Sequence, residues 1–256
     1  MVNENKIIVA LDVETAVEAR QIIEELRGEV GAFKIGLQLF AAAGASFVRE
    51  AAAQNVKIFL DLKFHDIPNT VARASVEAAR MGVWMFNVHA LGGREMMRRT
   101  IDAVREVCAK ENLIVPKIIA VTVLTSSNQE DLRGVGIQTD IEQQVVRLAR
   151  LASVCGLNGV VASPREVRAV RQAVEDENFL IITPGIRNRE PEVERREKEN
   201  DFETRDDQKR VMSAGDAARA GATYIVVGRP VLQAENRVSA ARKILEEIKQ
   251  GMQASI

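Results

Sequence analysis

Two charged residues alternate with leucines at the end of a short apolar segment. Leu60 is followed by Asp61, Leu62 and Lys63. Side chains of a β-strand alternate between its two faces, so Asp61 and Lys63 would share one face and the leucines the other. A carboxylate beside an ammonium group can stabilise developing charge and supply a proton. The spacing therefore predicts a reactive pair, with a surface ion pair as the alternative interpretation.

Two further charged residues, Asp12 and Lys34, lie near the ends of apolar segments of their own. Asp12 directly follows residues 6–11, and Lys34 lies within residues 32–36. In barrels of parallel strands, the C-terminal ends of the strands carry the catalytic groups. We therefore predict that both residues converge with the reactive pair on one opening, which would collect four charged groups from three strands.

Eight short apolar segments, separated by longer helix-like segments, predict consecutive βα units around a parallel sheet. The predicted strands are Lys6 to Leu11, Ala32 to Gly36, Lys57 to Leu62, Met85 to His89, Lys117 to Val123, Gly159 to Ala162, Leu180 to Thr183 and Tyr224 to Gly228. A helix should begin at Ser163-Pro164-Arg165-Glu166, which combines an N-cap serine, a proline at the first helical position and a capping-box glutamate. These units use the whole chain, so we predict one α/β domain over residues 1–256, a single (β/α)8 TIM barrel.

One segment does not fit a βα unit. Residues 188–207 contain five basic and nine acidic residues and few apolar ones, so they cannot pack as core. We expect a charged loop insert after the seventh strand. Loops at that end of a barrel build the active site, and those after strands seven and eight often bind phosphate.

Composition narrows the class of ligand. The formal net charge is only −1, which argues against a nucleic-acid or membrane-surface partner and favours a small phosphorylated metabolite held by a few local cations. Cys108 and Cys155 are far apart, and the N-terminus lacks a signal pattern, so we expect a soluble, cytoplasmic protein. His65 and His89 have no metal-site spacing around them. We interpret them as structural and predict no metal.

The ten residues from Asp61 to Thr70 closely resemble the signature of the orotidine 5′-monophosphate decarboxylase family. Other segments similar to family motifs follow in family order over nearly the whole chain: Ala10-Leu11-Asp12, Phe33-Lys34-Ile35-Gly36, Asn87-Val88-His89-Ala90, Val121-Thr122-Val123-Leu124-Thr125, Thr183-Pro184-Gly185-Ile186-Arg187 and Val226-Val227-Gly228-Arg229. A lone Asp-x-Lys-x-x-Asp pattern would be weak evidence. The ordered set is far more specific.

The resemblance implies the reaction and the assembly. Members of this family convert orotidine 5′-monophosphate to UMP and carbon dioxide, the last step of de novo pyrimidine nucleotide synthesis, without a cofactor. They are homodimers with shared active sites. In this sequence, Asp66, Ile67 and Thr70 match the positions that the neighbouring subunit contributes.

The resemblance also implies roles for the remaining positions. Asp12 and Lys34 would hydrogen-bond the ribose hydroxyls, and Lys34, Asp61, Lys63 and Asp66 would form a charged network. Thr125 would face the pyrimidine. The positions that match the family's phosphate grip are Arg187, Gln208, Gly228 and Arg229. The insert looks longer than usual in the family, which makes the assignment of Gln208 less direct than the others.

The chemistry of this reaction suits such a network. Loss of carbon dioxide from C6 of the orotate ring leaves a carbanion that the ring delocalises poorly, so positioning and preorganised charge must do the catalysis. Asp61 would repel the substrate carboxylate. Lys63, among carboxylates, would stabilise the carbanion and deliver a proton to C6.

Two other functions are compatible with parts of the pattern. A magnesium-dependent sugar-phosphate decarboxylase or synthase of a related barrel family shares Asp-x-Lys-x-x-Asp on its third strand, but the intact segment from Asp66 to Thr70 and the Thr125 motif favour the nucleotide enzyme. A non-catalytic barrel that only binds nucleotides is the other alternative. Intact Asp61, Lys63 and Asp66 argue against it.

Overall fold

Eight parallel strands, hydrogen-bonded in sequence order, close into a barrel in a computed structural model that describes residues 5–186 and 211–253. The strands are β1 (Ile7–Ala10), β2 (Ala32–Gly36), β3 (Ile58–Phe64), β4 (Met85–His89), β5 (Lys117–Val121), β6 (Gly159–Val161), β7 (Leu180–Thr183) and β8 (Tyr224–Val227). Pairing of β8 with β1 closes the ring. The predicted (β/α)8 fold is confirmed, and the predicted bounds of β2, β4 and β7 match those observed.

Helices alternate with the strands and cover the outside of the barrel. They are α1 (Ala16–Leu26), α2 (Leu37–Ala53), α3 (Pro68–Arg80), α4 (Gly93–Glu111), α5 (Gln129–Gly134), α6 (Ile141–Cys155), α7 (Val167–Ala173), α8 (Ala214–Ala220), α9 (Arg229–Leu232) and α10 (Arg237–Gln253). Side-chain oxygens of Thr15, Asp140 and Ser213 cap α1, α6 and α8 by accepting backbone hydrogen bonds, as N-cap residues do. In the described ranges, no helix is long and apolar enough to span a membrane.

Alternation along the strands divides the apolar core into two clusters. The larger cluster packs between the strands and the helices. The smaller one fills the barrel interior with Ile8, Ala10, Ala32, Phe59, Met85, Ile119, Ile182, Tyr224 and Val226. Because side chains repeat every second residue on one face, the next inward positions toward the C-terminal ends are occupied by Asp12, Lys34, Asp61, Asn87 and Gly228. The alternation that directs apolar side chains into the barrel interior therefore also directs these polar side chains to its C-terminal opening.

With Ser163 as the N-cap, the first helical residue was predicted at Pro164, whereas α7 begins three residues later, at Val167. The Ser163 hydroxyl accepts a hydrogen bond from the Arg165 backbone N–H at 3.3 Å. The Glu166 N–H donates to the Ser163 carbonyl at 3.1 Å, which closes a turn. A local turn has used the groups that would otherwise cap a helix.

Three predicted features at the seventh strand lie outside the described residues. These are the charged insert at residues 188–207 and the proposed phosphate ligands Arg187 and Gln208. The chain is described again from residue 211, and Met212 pairs with Ile186 in an isolated parallel bridge. The described residues on either side of the insert are thus adjacent.

Candidate active site

Asp61 is the centre of the polar cluster at the barrel mouth. Its side chain is only 13% exposed. One carboxylate oxygen accepts hydrogen bonds from Lys63 Nζ at 2.8 Å and Asn87 Nδ2 at 2.7 Å. The other lies 3.3 Å from Lys34 Nζ. The predicted inward pairing of Asp61 with Lys63 is confirmed, and the surface ion pair is not.

Lys34 connects Asp61 to the first strand. Its ammonium, on a side chain that is 12% exposed, lies 3.3 Å from Asp61 Oδ2 and 3.3 Å from Asp12 Oδ1. Burial alone would lower the pKa of Lys34, but the charges of Asp61 and Asp12 outweigh it and raise that pKa. The predicted convergence of Asp12, Lys34, Asp61 and Lys63 is therefore observed.

The same cluster keeps Asp61 ionised. Burial alone would raise the pKa of this carboxyl, but the positive charges of Lys34 and Lys63, together with the hydrogen bonds from Lys63 and Asn87, hold its pKa below the usual range. A buried carboxylate between two ammonium groups is thus ready to act as a fixed negative charge.

Lys63 has an unusual backbone. Its φ is 52°, in the left-handed region, and in the described ranges the other non-glycine residues with positive φ are the asparagines Asn55 and Asn112. Asparagine tolerates this conformation, whereas lysine seldom adopts it. Such strain concentrates at functional sites because the surrounding structure must hold it in place.

Asn87 is a site residue that the sequence analysis did not single out. It is fully buried on β4, and it contacts both residues of the reactive pair. The available signal was a polar side chain in an otherwise apolar strand, at the same inward register as Met85. That signal did not identify the partner, because Asp61 lies 26 residues earlier in the chain.

Glycines leave room beside the charged cluster. A methyl group on Gly36 would lie 3.2 Å from Lys34 Nζ, and one on Gly228 would lie 3.5 Å from Asp12 Oδ2. Asp12 itself is 59% exposed. Gly228 directly precedes Arg229, the first residue of α9. An open surface with a carboxylate at one side and an arginine next to it can receive a polar, anionic ligand.

The structure does not bring Asp66 into the network of its own chain. Within residues 5–186 and 211–253, the Asp66 carboxylate accepts a hydrogen bond from the Ile67 backbone N–H at 2.6 Å and forms no ion pair. Ile67 is 67% exposed and Thr70 is also exposed. Thr125 is half-buried in the turn after β5.

The two histidines stack on each other behind Lys63. Their ring centroids are 5.1 Å apart. Burial, followed by the charges of His65 and Lys63, lowers the pKa of His89 to about 4. His89 is therefore neutral at neutral pH, and its buried Nδ1 has no hydrogen-bond partner among the described residues. The lowered pKa of His89 argues against acid–base chemistry at this residue near neutral pH.

The charged groups of the cluster suit an organic anion as the ligand. Two carboxylates and two ammonium groups alternate in space, so the carboxylates are already paired with cations. In the part of the chain that the structure describes, no group of three or more His, Cys, Asp or Glu residues has metal-site geometry. The arrangement can repel one negative group of a ligand while stabilising negative charge that forms close by.

Known proteins that are similar to this chain point in one direction. The sequence profile of the "Orotidine 5′-phosphate decarboxylase / HUMPS family" matches residues 5–244. The chain is 49% identical over 243 residues to the orotidine 5′-phosphate decarboxylase of Syntrophotalea carbinolica, covering 95% of this chain and 94% of that one. It is 49% identical over 247 residues to the enzyme of the same name from Geobacter sulfurreducens, covering 96% and 97%. The crystal structure of orotidine 5′-phosphate decarboxylase from Lactobacillus acidophilus is similar with a TM-score of 0.79 and 32% identity, covering 95% of this chain and 99% of the other.

Proposed function

Because this chain belongs to the orotidine 5′-phosphate decarboxylase family, we propose that its charged cluster at the barrel mouth is where the reaction takes place. The protein decarboxylates orotidine 5′-monophosphate to UMP and carbon dioxide, the last step of de novo pyrimidine nucleotide synthesis. The observation that carries the site assignment is the buried Asp61 carboxylate between Lys34 and Lys63.

In this proposal, Asp61 acts on the carboxylate that leaves. Two like charges about 4 Å apart at an effective dielectric of about 20 repel by roughly 4 kcal/mol. That repulsion falls as the C6–carboxylate bond breaks, because carbon dioxide leaves as a neutral molecule and the negative charge moves to C6. The lowered pKa of Asp61 supports this role, since a protonated carboxyl group would not repel the substrate.

Lys63 acts on the electron pair that the departing carbon dioxide leaves on C6. Its ammonium group stabilises the carbanion, and one N–H proton of Nζ then passes to C6 to give UMP. The 2.8 Å hydrogen bond from Lys63 Nζ to Asp61 supports this role, since both groups would then face the same carbon of the substrate. Asp61 and Lys63 thus account for both the loss of carbon dioxide and the protonation of C6.

The remaining residues hold the nucleotide. We assign Asp12 and Lys34 to the ribose hydroxyls, since Lys34 joins the open surface at Asp12 to the buried Asp61. Thr125, in the turn after β5, is assigned to the pyrimidine. Gly228 and Arg229, at the start of α9, are assigned to the phosphate, together with Arg187 and Gln208.

A shared active site explains the position of Asp66. We propose a homodimer in which Asp66, Ile67 and Thr70 complete the site of the neighbouring subunit. Three large apolar side chains are exposed close to the ends of β2, β3 and β4: Leu37 at the start of α2, Ile67 just before α3, and Leu91 in the 3-10 turn before α4. Exposed apolar side chains at one end of a barrel are typical of a surface that a partner covers.

We also propose that the chain is one barrel domain over residues 1–256 and that it works in the cytoplasm. The first proposal is supported by the packing of α10, the last helix described, on α8 and β1. The second is supported by Cys108 and Cys155, which are free and buried thiols suited to a reducing compartment.

The experiment that tests the function is a spectrophotometric assay with orotidine 5′-monophosphate, run with and without EDTA. We expect turnover to UMP at the same rate in both conditions. Loss of activity on chelation would instead support a magnesium-dependent sugar-phosphate enzyme. Binding of UMP without release of carbon dioxide from the substrate would support a non-catalytic nucleotide-binding barrel.

Arg229 offers a test of the phosphate assignment. We expect Arg229→Ala to weaken the binding of orotidine 5′-monophosphate and to leave the slow turnover of orotidine, which lacks the phosphate, nearly unchanged. The reason is that a charge-assisted contact to phosphate is present only with the first substrate. Comparison of kcat/KM for the two substrates measures this, and an equal loss on both would contradict the assignment.

A further inference from the structure

We propose that Asn87 is a positioning residue for decarboxylation, one that fixes Asp61 and Lys63 relative to each other. The inference rests on the proposed function of the cluster and adds a residue to it. Asn87 reaches both members of the pair with a single side chain, although it belongs to a different strand.

The two ends of the Asn87 amide have different partners. Nδ2 donates to Asp61 Oδ1 at 2.7 Å, and Oδ1 accepts from the backbone N–H of Lys63 at 2.8 Å. A carboxylate can only accept and a backbone N–H can only donate, so the network itself fixes which way the amide points. Asparagine provides one donor and one acceptor at this spacing, which an apolar or purely acidic side chain does not.

The burial of Asn87 argues against a role in core packing alone. The residue is 0% exposed on β4, two residues after Met85 on the same inner face of the barrel. A buried amide destabilises the fold unless both its ends are hydrogen-bonded. Leucine would fill similar space without that requirement. The polar side chain is therefore explained by what it contacts, which is the reactive pair.

Asn87 also replaces a missing backbone partner. The regular pairing of β3 with β4 shifts between Leu60 and Phe64, and Lys63 lies inside this irregularity with φ of 52°. The Asn87 side chain accepts the Lys63 N–H there. The left-handed backbone of Lys63 is thereby tied to β4, while its ammonium group returns to Asp61 at 2.8 Å.

The first variant removes both hydrogen bonds. We expect Asn87→Ala to lower kcat on the order of 10²-fold, the loss that a displacement of about 1 Å in a catalytic group can cause. UMP affinity should change little, since Asn87 is assigned no contact with the nucleotide. A kcat equal to that of the wild type, in a variant whose circular dichroism shows a folded barrel, would overturn the proposal.

The second variant separates the donor from the acceptor. Asn87→Asp keeps an oxygen for the Lys63 N–H but places a second carboxylate against Asp61. Two carboxylates in contact share a proton, and the raised pKa of one restores an O–H donor on acidification. We therefore expect the ratio of variant to wild-type kcat to rise as pH falls. The rise should be about tenfold per pH unit at pH values where most variant molecules have lost the shared proton.

Other charged groups lie near the introduced carboxylate. Lys34 and Lys63 face it from β2 and β3, and the two stacked histidines lie on and beside β4. Dividing by the wild-type rate at each pH removes the titration that the variant and the wild type share. If Asn87→Ala fails to fold, this ratio alone tests the proposal. A ratio that does not change with pH would then overturn the role of Asn87 as a hydrogen-bond donor to Asp61.

Asn158 provides the matched control. Its Oδ1 also accepts a backbone N–H across strands, from Ile118 at 2.8 Å, but it precedes β6 at the opposite end of the barrel. Asn158→Asp should leave both kcat and its pH profile as in the wild type. An inactive wild-type enzyme would contradict the proposed function itself, whereas an active wild type with an equally active Asn87→Ala would contradict only the role of Asn87.

Discussion

Lys63→Ala is expected to lose at least about 10⁴-fold in kcat, the product of about 10²-fold for a general acid and about 10²-fold for a stabilising charge. UMP binding should be largely retained, because the ammonium acts on a carbanion that the product no longer has. Single-turnover measurements with orotidine 5′-monophosphate, and calorimetric titration with UMP, give the two quantities separately.

A matched lysine shows whether the loss is specific. Lys249 is exposed on α10 and is not one of the residues that contact Asp61, so Lys249→Ala should have wild-type kinetics. Substantial turnover in Lys63→Ala would rule out this residue as the proton donor. A parallel loss of UMP affinity would indicate that Lys63 mainly binds the nucleotide, since uniform binding changes KM and not kcat.

The barrel and most of its charged centre could be predicted from sequence because both follow from one pattern. In a strand, every second side chain lies on the same face. Residues such as Phe59 and Asp61 share a face of β3, so the rule that buries one also turns the other inward. Lys34 and Asp12 follow by the same alternation on β2 and after β1. No long-range information is needed to place a side chain on the inner face of a barrel strand.

The contacts between strands could not be predicted in this way. Asn87 meets Asp61 and Lys63 through pairing of β3 with β4, which brings together residues 24 and 26 positions apart. The left-handed backbone of Lys63 depends on the same pairing, since the sequence around it contains no glycine or asparagine to signal it. The helix start after Ser163 was missed for a related reason, because a local turn competes for the same hydrogen-bonding groups.

The proposed position of Asp66 in the active site could not be predicted from a single chain. Three residues along from Lys63, it completes the Asp-x-Lys-x-x-Asp pattern, yet its carboxylate is exposed and bonds the Ile67 backbone N–H. The strand period ends at Phe64, so alternation no longer determines where Asp66 points. A second subunit is the partner that would give this residue a catalytic position.

Mixing two inactive variants should therefore restore activity. In the proposed homodimer, Lys63→Ala would lack a residue of its own site, and Asp66→Ala would lack one that it lends to its partner. In a heterodimer, one site carries both defects and the other carries neither. With complete random exchange of equal amounts, about a quarter of all sites should be intact, because half of the dimers are mixed and each has one good site. Specific activity of the mixture, followed during subunit exchange, measures the recovery.

The structure supplies the control for this experiment. Lys34 and Lys63 both contact the same Asp61, so they serve the site of their own chain. A mixture of Lys34→Ala and Lys63→Ala should stay inactive, because each chain of the heterodimer keeps a defect in its own site. Recovery of activity in this control would mean that Lys34 or Lys63 serves the active site of the other chain. No recovery in the Asp66→Ala mixture, with exchange verified by mass-labelled subunits, would show that each active site is built from one chain.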